Sequence, residues 1–347
     1  MAFMDDKITL VADYYVKKNV DMIVDERLPL YFGVTNGYWY ANPTAISLNS
    51  AEIKNSGVEF GLNYRNNVNG FSYDIGANIT TIQNEVTKLD KDILGGGDSR
   101  LTITKEGQSI GEFYGWTVDG IFQNQEEIDA LNTTDEDGDL VQYQTGAAPG
   151  DFKFRDWDDN GKIDANDRTS LGKAFPNLIY GFNLNGSYKG FDLSVVFNGV
   201  NGNQIFNQNK LAAGISGGGT SGNGIPNKPK EWVNRWQGEG TSNTIPRAVV
   251  TDPNNNKRPS SFFVEDGSYF RLRNVQFGYN IASGLTERLG LNTFRFYISA
   301  QNLFTITKYS GYSPDLGSKN QDNTYTGIDL ATYPQSKTYT LGLTLGF

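Results

Sequence analysis

Apolar side chains recur at every second position in stretch after stretch of this chain. A chain so patterned is committed to strands with one greasy face. Ile8, Leu10, Ala12, Tyr14 and Val16 alternate with Lys7, Thr9, Val11, Asp13, Tyr15 and Lys17. Val58, Phe60, Leu62 and Tyr64 form a second stripe, and after a short turn at Asn66 to Gly70 a third follows on Phe71, Tyr73, Ile75, Ala77 and Ile79. Leu178, Tyr180, Phe182, Leu184 and Tyr188 run into a Lys189-Gly190 turn and then Phe191, Leu193, Val195 and Phe197. Near the end Val275, Phe277, Tyr279 and Ile281 are set to pair with Phe294, Phe296, Ile298 and Ala300. The final stripe is Tyr339, Leu341, Leu343, Leu345 and Phe347.

Long polar segments, roughly 20–50, 86–109, 123–174, 205–262 and 308–335, separate these hairpins. Short turns alternating with long loops are the habit of transmembrane barrels, although a soluble sandwich also alternates apolar and polar positions. Three details favour the barrel. The stripes run about 9–11 residues, the length a tilted strand needs to cross a bilayer. Tyr64, Phe71, Tyr188 and Phe191 sit at stripe ends, where aromatic girdles lie. The opposite face is Gly, Ser, Thr and Asn, and the loops are long for a compact domain. The expected fold is all-β: an antiparallel transmembrane barrel portion of about ten strands, with short periplasmic turns and long extracellular loops. The clearest helix candidate is Glu231 to Trp236, a short loop element.

The chain of 347 residues has no Cys and no His, which removes disulfides, thiolate sites and every His-based triad or zinc site. Its formal net charge of −9, with no basic cluster, makes it a poor nucleic-acid binder. No apolar run approaches the roughly 20 residues of a transmembrane helix. The start, Met1-Ala2-Phe3-Met4-Asp5-Asp6, has no signal-peptide pattern, so either the protein is cytosolic or Met1 is not the true N-terminus.

The sharpest local motif lies in an acidic segment, 150–170. Asp156, Asp158, Asn160, Asp164 and Asp167 occupy positions 1, 3, 5, 9 and 12 of a calcium-loop pattern, with Gly161 at 6 and the Lys162 carbonyl at 7. Position 12 is Asp where an EF-hand has bidentate Glu, and no long flanking helices are evident. The alternative is a solvated Asp/Asn-Gly turn; if filled, the loop holds a structural Ca2+ as a staple. Tyr38, Trp39, Tyr40, Trp232 and Trp236 are aromatic candidates for gripping a sugar or peptide, against plain loop packing. Gly217-Gly218-Gly219 and Gly95-Gly96-Gly97 do not open helices and are no phosphate cradles. No carboxylate pair stands out, and no catalytic residue is assigned.

Several segments together resemble the C-terminal half of SusC/RagA-type TonB-dependent outer-membrane transporters. They are Ala51 to Phe60, Ile110-Gly111-Glu112-Phe113-Tyr114-Gly115 leading to Asp119-Gly120-Ile121-Phe122, Asp167-Arg168-Thr169, Tyr180-Gly181-Phe182, Tyr188 to Ser194, Asn234-Arg235-Trp236, Ile245-Pro246-Arg247, Ser268 to Val275 and Ala300-Gln301-Asn302-Leu303-Phe304. The resemblance implies a non-enzymatic importer of oligosaccharides or peptides in the bacterial outer membrane. Such an importer has a large barrel with an internal plug, works with a SusD-like surface lipoprotein, and is driven by the TonB complex. It also implies that 1–347 is a C-terminal barrel part from which the plug, the TonB box and the first strands are missing. The terminal stripe, Tyr339 to Phe347, then reads as the barrel assembly signal. Two other readings stay open: a soluble calcium-stapled β domain acting as an adhesin or glycan-binding module, and an independent ten-strand barrel with porin or enzyme activity.

Overall fold

A computed structural model describes residues 2–27, 45–96, 99–214, 228–249, 251–286, 288, 290–319 and 322–347. Tyr38, Trp39, Tyr40 and Gly217-Gly218-Gly219 lie outside the described residues. The long strands are β1 (Ile8–Arg27), β2 (Ala45–Val68), β3 (Phe71–Thr81), β4 (Leu178–Tyr188), β5 (Phe191–Asn201), β6 (Tyr269–Asn280), β7 (Thr293–Thr307) and β8 (Thr338–Gly346). Each pairs antiparallel with the next in chain order, an up-and-down meander. Ala2–Phe3, paired with β1, and Gln83–Lys88, paired with β2, complete one ten-stranded sheet. This agrees with the strand number expected from the stripes. Among the described residues β1 and β8 do not pair with each other. No described helix is long and apolar enough to cross a membrane.

Two of the connections are two-residue turns. Val68 pairs with Phe71 and Tyr188 with Phe191, so the loops shrink to Asn69-Gly70 and Lys189-Gly190. All four of these residues have positive φ, from 48° to 87°. That is the mirror-image turn whose twist matches that of the flanking strands. The third connection, 281–292, carries a one-turn helix at Ser283–Thr286.

β1 and β2 depart from the expected loop at 20–50. Their ladder continues from Ile8↔Tyr64 to Arg27↔Ala45, well past the apolar stripes. Register shifts between Asn19 and Met22 and between Met22 and Ile23 hide these arms from a periodicity reading, but backbone bonding needs no strict alternation. Beneath the arms, Ala51, Ile53, Val86 and Leu89 form a small buried cluster.

The main core is not in the sheet at all. It lies among the long connections 82–177, 202–268 and 308–337, which fold together into a cap at one end. Leu101, Phe113, Ile121, Phe152, Phe154, Phe206, Trp232, Phe263 and Ile328 pack into one cluster. Short strands stitch the pieces. Glu112–Trp116 pairs with Arg168–Gly172, and Val118–Ile121 with Phe152–Phe154. Gln204–Asn207 takes Val264–Asp266 antiparallel and Ile328–Asp329 parallel, joining two different connections.

Candidate functional site

The sheet has two chemically opposite faces. On one, cross-strand register stacks Ile75, Leu184 and Val195, and beside them Ala77, Phe182 and Phe197. On the other, Asp74 Oδ1 accepts from Asn63 Nδ2 and Asn183 Nδ2, both at 3.3 Å, and Asn185 accepts from Ser194 Oγ at 2.7 Å. Arg295 on β7 reaches across β6 to Asp192 on β5, with Nη2···Oδ2 at 2.6 Å and Nε···Oδ1 at 3.1 Å. Gly278 lies beneath this bridge. A Cβ there would stand 2.5 Å from Arg295 Nη2 and 2.7 Å from Asp192 Oδ1, so only glycine leaves room for it. Partly exposed ion pairs of this kind contribute about 0–1 kcal/mol. They do not hold the sheet together; they mark a face that stays wet.

A register shift between Leu272 and Asn274 changes what β6 shows to each side. Below it Val275, Phe277 and Tyr279 share the apolar face. Continued without a shift, that parity would put Tyr269, Arg271 and Arg273 among the apolar stripes. The bulge instead places Phe270 and Leu272 there, opposite Gly199 and Phe197. Tyr269 and Arg271 turn to the polar side, where Arg271 donates to Thr305 Oγ1 (2.9 Å), Asp315 Oδ2 (3.0 Å) and Gln335 Oε1 (2.5 Å). Asp315 and Gln335 come from opposite ends of the connection after β7, so one guanidinium ties both ends of that loop to the wall. The quoted motif around Arg271 contained this residue, but the pairing itself is non-local and was not legible.

Three of the expected calcium-loop side chains converge. The carboxylates of Asp156, Asp158 and Asp167 offer oxygens within 4.8 Å of one another. Asp159 (φ 55°) and Gly161 (φ 82°) supply the sharp turn. Partial burial raises Asp156, but amide donors, foremost Gly161 N–H at 2.8 Å, outweigh it and hold that carboxyl below the usual range. Asp158 is pushed up by desolvation, by its hydrogen bond with Asp156 and by the nearby Asp167 charge. Two neighbouring carboxylates driven apart in this way form a tight acidic cluster. Asp164 stands outside the cluster. Its side chain caps the helical turn Ala165–Asp167 and lies 3.6 Å from Lys162 Nζ. Asn160 Oδ1 accepts from the Lys162 amide at 3.0 Å. The loop is fastened to the cap by Trp116 Nε1 donating to the Asp164 carbonyl at 2.7 Å, and Ile163 packs on the core.

Of the expected aromatic grips, the two within the described residues, Trp232 and Trp236, are taken up by packing. Trp232 is 3% exposed inside the cap core and shows no face to a ligand, which corrects that expectation. The element around it is a 3-10 turn, Lys230–Asn234, shorter than Glu231 to Trp236. Trp236 is half-buried against the Gly150 backbone, with Nε1 donating to Gln123 Oε1 at 3.3 Å. The terminal strand carries Tyr339, Leu341, Leu343, Leu345 and Phe347 on one exposed face. Sequence reasoning missed the fully buried Asp151. Arg247 holds it with two donors at 2.8 and 2.9 Å, and Asn256 Nδ2 adds a third at 2.9 Å.

Comparison with known proteins covers the whole chain. The TonB-dependent receptor P3 of Formosa agariphila is 34% identical over 360 residues, covering 100% of this chain and 33% of that protein. The TonB-dependent receptor P26 of the same bacterium is 28% identical, with 100% and 33% covered. The TonB-dependent receptor SusC of Bacteroides thetaiotaomicron is 26% identical, with 99% and 31% covered. No family model matches. Among solved structures, the RagAB peptide transporter superposes with a TM-score of 0.72 at 23% identity, covering 100% of this chain and 34% of that one. The chain spans about a third of the length of the curated relatives it matches.

Proposed function

Since the chain belongs to the SusC/RagA-type TonB-dependent receptors, we propose that it is the C-terminal part of an outer-membrane importer's barrel, its apolar face on lipid and its polar face lining the passage. The inverted sheet carries this reading: large apolar side chains lie exposed on one face while hydrogen-bonded polar networks line the other. A soluble domain would leave those stripes in water, far beyond the apolar patch a monomer tolerates. The two open edges fit a segment whose remaining strands lie elsewhere in the receptor, because an edge unpaired in lipid costs several kcal/mol per backbone group. The whole receptor would take oligosaccharides or peptides, with a SusD-like lipoprotein over the cap and the TonB complex supplying energy. The proposed role is transport.

Deleting the gene from its bacterial host tests this. Growth should fail on one oligomeric glycan or peptide source and persist on its monomers; undiminished growth on every oligomeric source would remove the importer reading. Co-purification of a surface lipoprotein with the tagged receptor tests the partner.

Two smaller proposals accompany it. The Asp156, Asp158 and Asp167 carboxylates would hold Ca2+ as a loop staple, with the Lys162 carbonyl beside them. The terminal stripe ending on Phe347 would be read by the assembly machinery. Deleting Phe347 from the complete receptor should cut the amount inserted; normal insertion would refute that role.

A further inference from the structure

Beside the Arg271 clamp, on the polar face, lies a cleft of about 590 Å3. The β6 bulge brings two arginines to it. Arg271 is neutralised by Asp315. Arg273, at the bulge itself, is exposed and makes no ion pair or hydrogen bond among the described residues. Asp315 is the one acidic group lining the cleft, and it is already engaged. Asn274 and Gln301 also line it, stand directly opposite each other across β6 and β7, and make no side-chain hydrogen bond among the described residues.

We propose that Arg273, with the amides of Asn274 and Gln301, forms a subsite for a carboxylate carried by a transported solute. The planar guanidinium offers a two-pronged donor matched to a carboxylate, and the two amides add neutral donors at its edge. Arg271 is the positioning residue: by holding Asp315 and Gln335 it keeps the following loop on the cleft's rim and leaves Arg273 as the uncompensated charge among the described residues that line it. In a lumen site an unpaired cation favours the charged solute over its neutral twin by the value of one charge-assisted hydrogen bond, about tenfold in affinity. The inference rests on the importer reading and narrows its cargo to acidic oligomers.

Binding to the purified complete receptor is measured with two matched probe pairs, triglutamate against triglutamine and trigalacturonate against maltotriose. Either carboxylate probe should bind about tenfold tighter than its neutral twin, and the pair that shows the difference identifies peptide or sugar as the source. Arg273→Gln should abolish the preference and Arg273→Lys should keep part of it, with normal heat-modifiable migration reporting an intact barrel in both. Equal binding of charged and neutral probes overturns the subsite, as does absence of binding or a preference that survives Arg273→Gln. Uptake of the same probes by TonB-competent and TonB-deficient cells is scored separately: failure of all uptake refutes the importer reading, whereas uptake without charge preference refutes the subsite alone.

Discussion

The wall and the cap use the same side chains in opposite ways. In the wall, Phe191, Phe277 and Phe296 are each 47% exposed. In the cap, Phe113, Phe152, Phe154, Phe206 and Phe263 are all 0% exposed. One set is arranged for lipid outside and water within, the other for water outside and a dry centre. Burying a Phe from water is worth about 1.5–3 kcal/mol, so the cap's fully buried phenylalanines alone outweigh its surface ion pairs as a source of stability. The wall gains nothing comparable until its apolar face meets a bilayer. The two regions should therefore fail separately, and each substitution below probes one of them.

The largest effect is expected in the cap. Arg247→Ala leaves the buried Asp151 with an uncompensated charge, a loss of about 3–5 kcal/mol. Limited proteolysis should then cut within 82–177 while heat-modifiable migration reports an intact barrel; loss of the barrel as well would mean the two regions are one folding unit. Next in size, Val195→Arg, midway along β5, places a charge on the lipid face at a cost of about 2–4 kcal/mol, against almost nothing for Ser194→Arg one position before it. Urea titration in lipid should separate the pair, and equal destabilisation would contradict the two-faced wall.

A smaller effect falls on the loop after β7. The Tyr309 hydroxyl, desolvated and donating to Asp329 at 2.6 Å, is raised well above its ordinary value of 10.0. Because the folded state holds this proton more tightly, the stability it contributes is complete below about pH 10 and declines as pH rises beyond that. Proteolysis of 308–337 should accelerate in alkali, and Tyr309→Phe should flatten that dependence; an unchanged pH profile in the variant would reassign the effect. The smallest change is expected at the acidic loop. Chelator, or Asp156→Ala with Asp158→Ala, should raise protease sensitivity within 150–170 and leave the wall untouched, and no change under either treatment would remove the metal.

The wall was legible in the sequence because each stripe is a local pattern that survives any tertiary context. From Phe71 to Ile79 the alternation alone assigns every side chain to a face. The cap was not legible, since Phe113, Phe206 and Phe263 come from segments far apart and follow no period. Trp232 shows the same limit: its burial depends on residues dozens of positions away. The upper arms of β1 and β2 read as loop because register shifts between Asn19 and Ile23 break the alternation there, although Met22 and Val24 pack on the small cluster beneath. At the acidic loop, spacing identified the residues that meet, Asp156, Asp158 and Asp167, but not that Asp164 would be diverted into capping the adjacent turn. Arg271 lay within a recognisable motif, yet the bulge that turns it away from lipid left no mark in the alternation.

These 347 residues hold no cysteine, so no thiol of this segment competes with one introduced on β5. Single cysteines placed in turn at residues 191 to 198 along β5, in the complete receptor in its outer membrane, can be challenged with a membrane-impermeant, water-soluble maleimide. Labelling should be efficient at 192, 194, 196 and 198 and blocked at 191, 193, 195 and 197. Uniform labelling of all eight positions would contradict a wall with lipid on one side and a wet passage on the other.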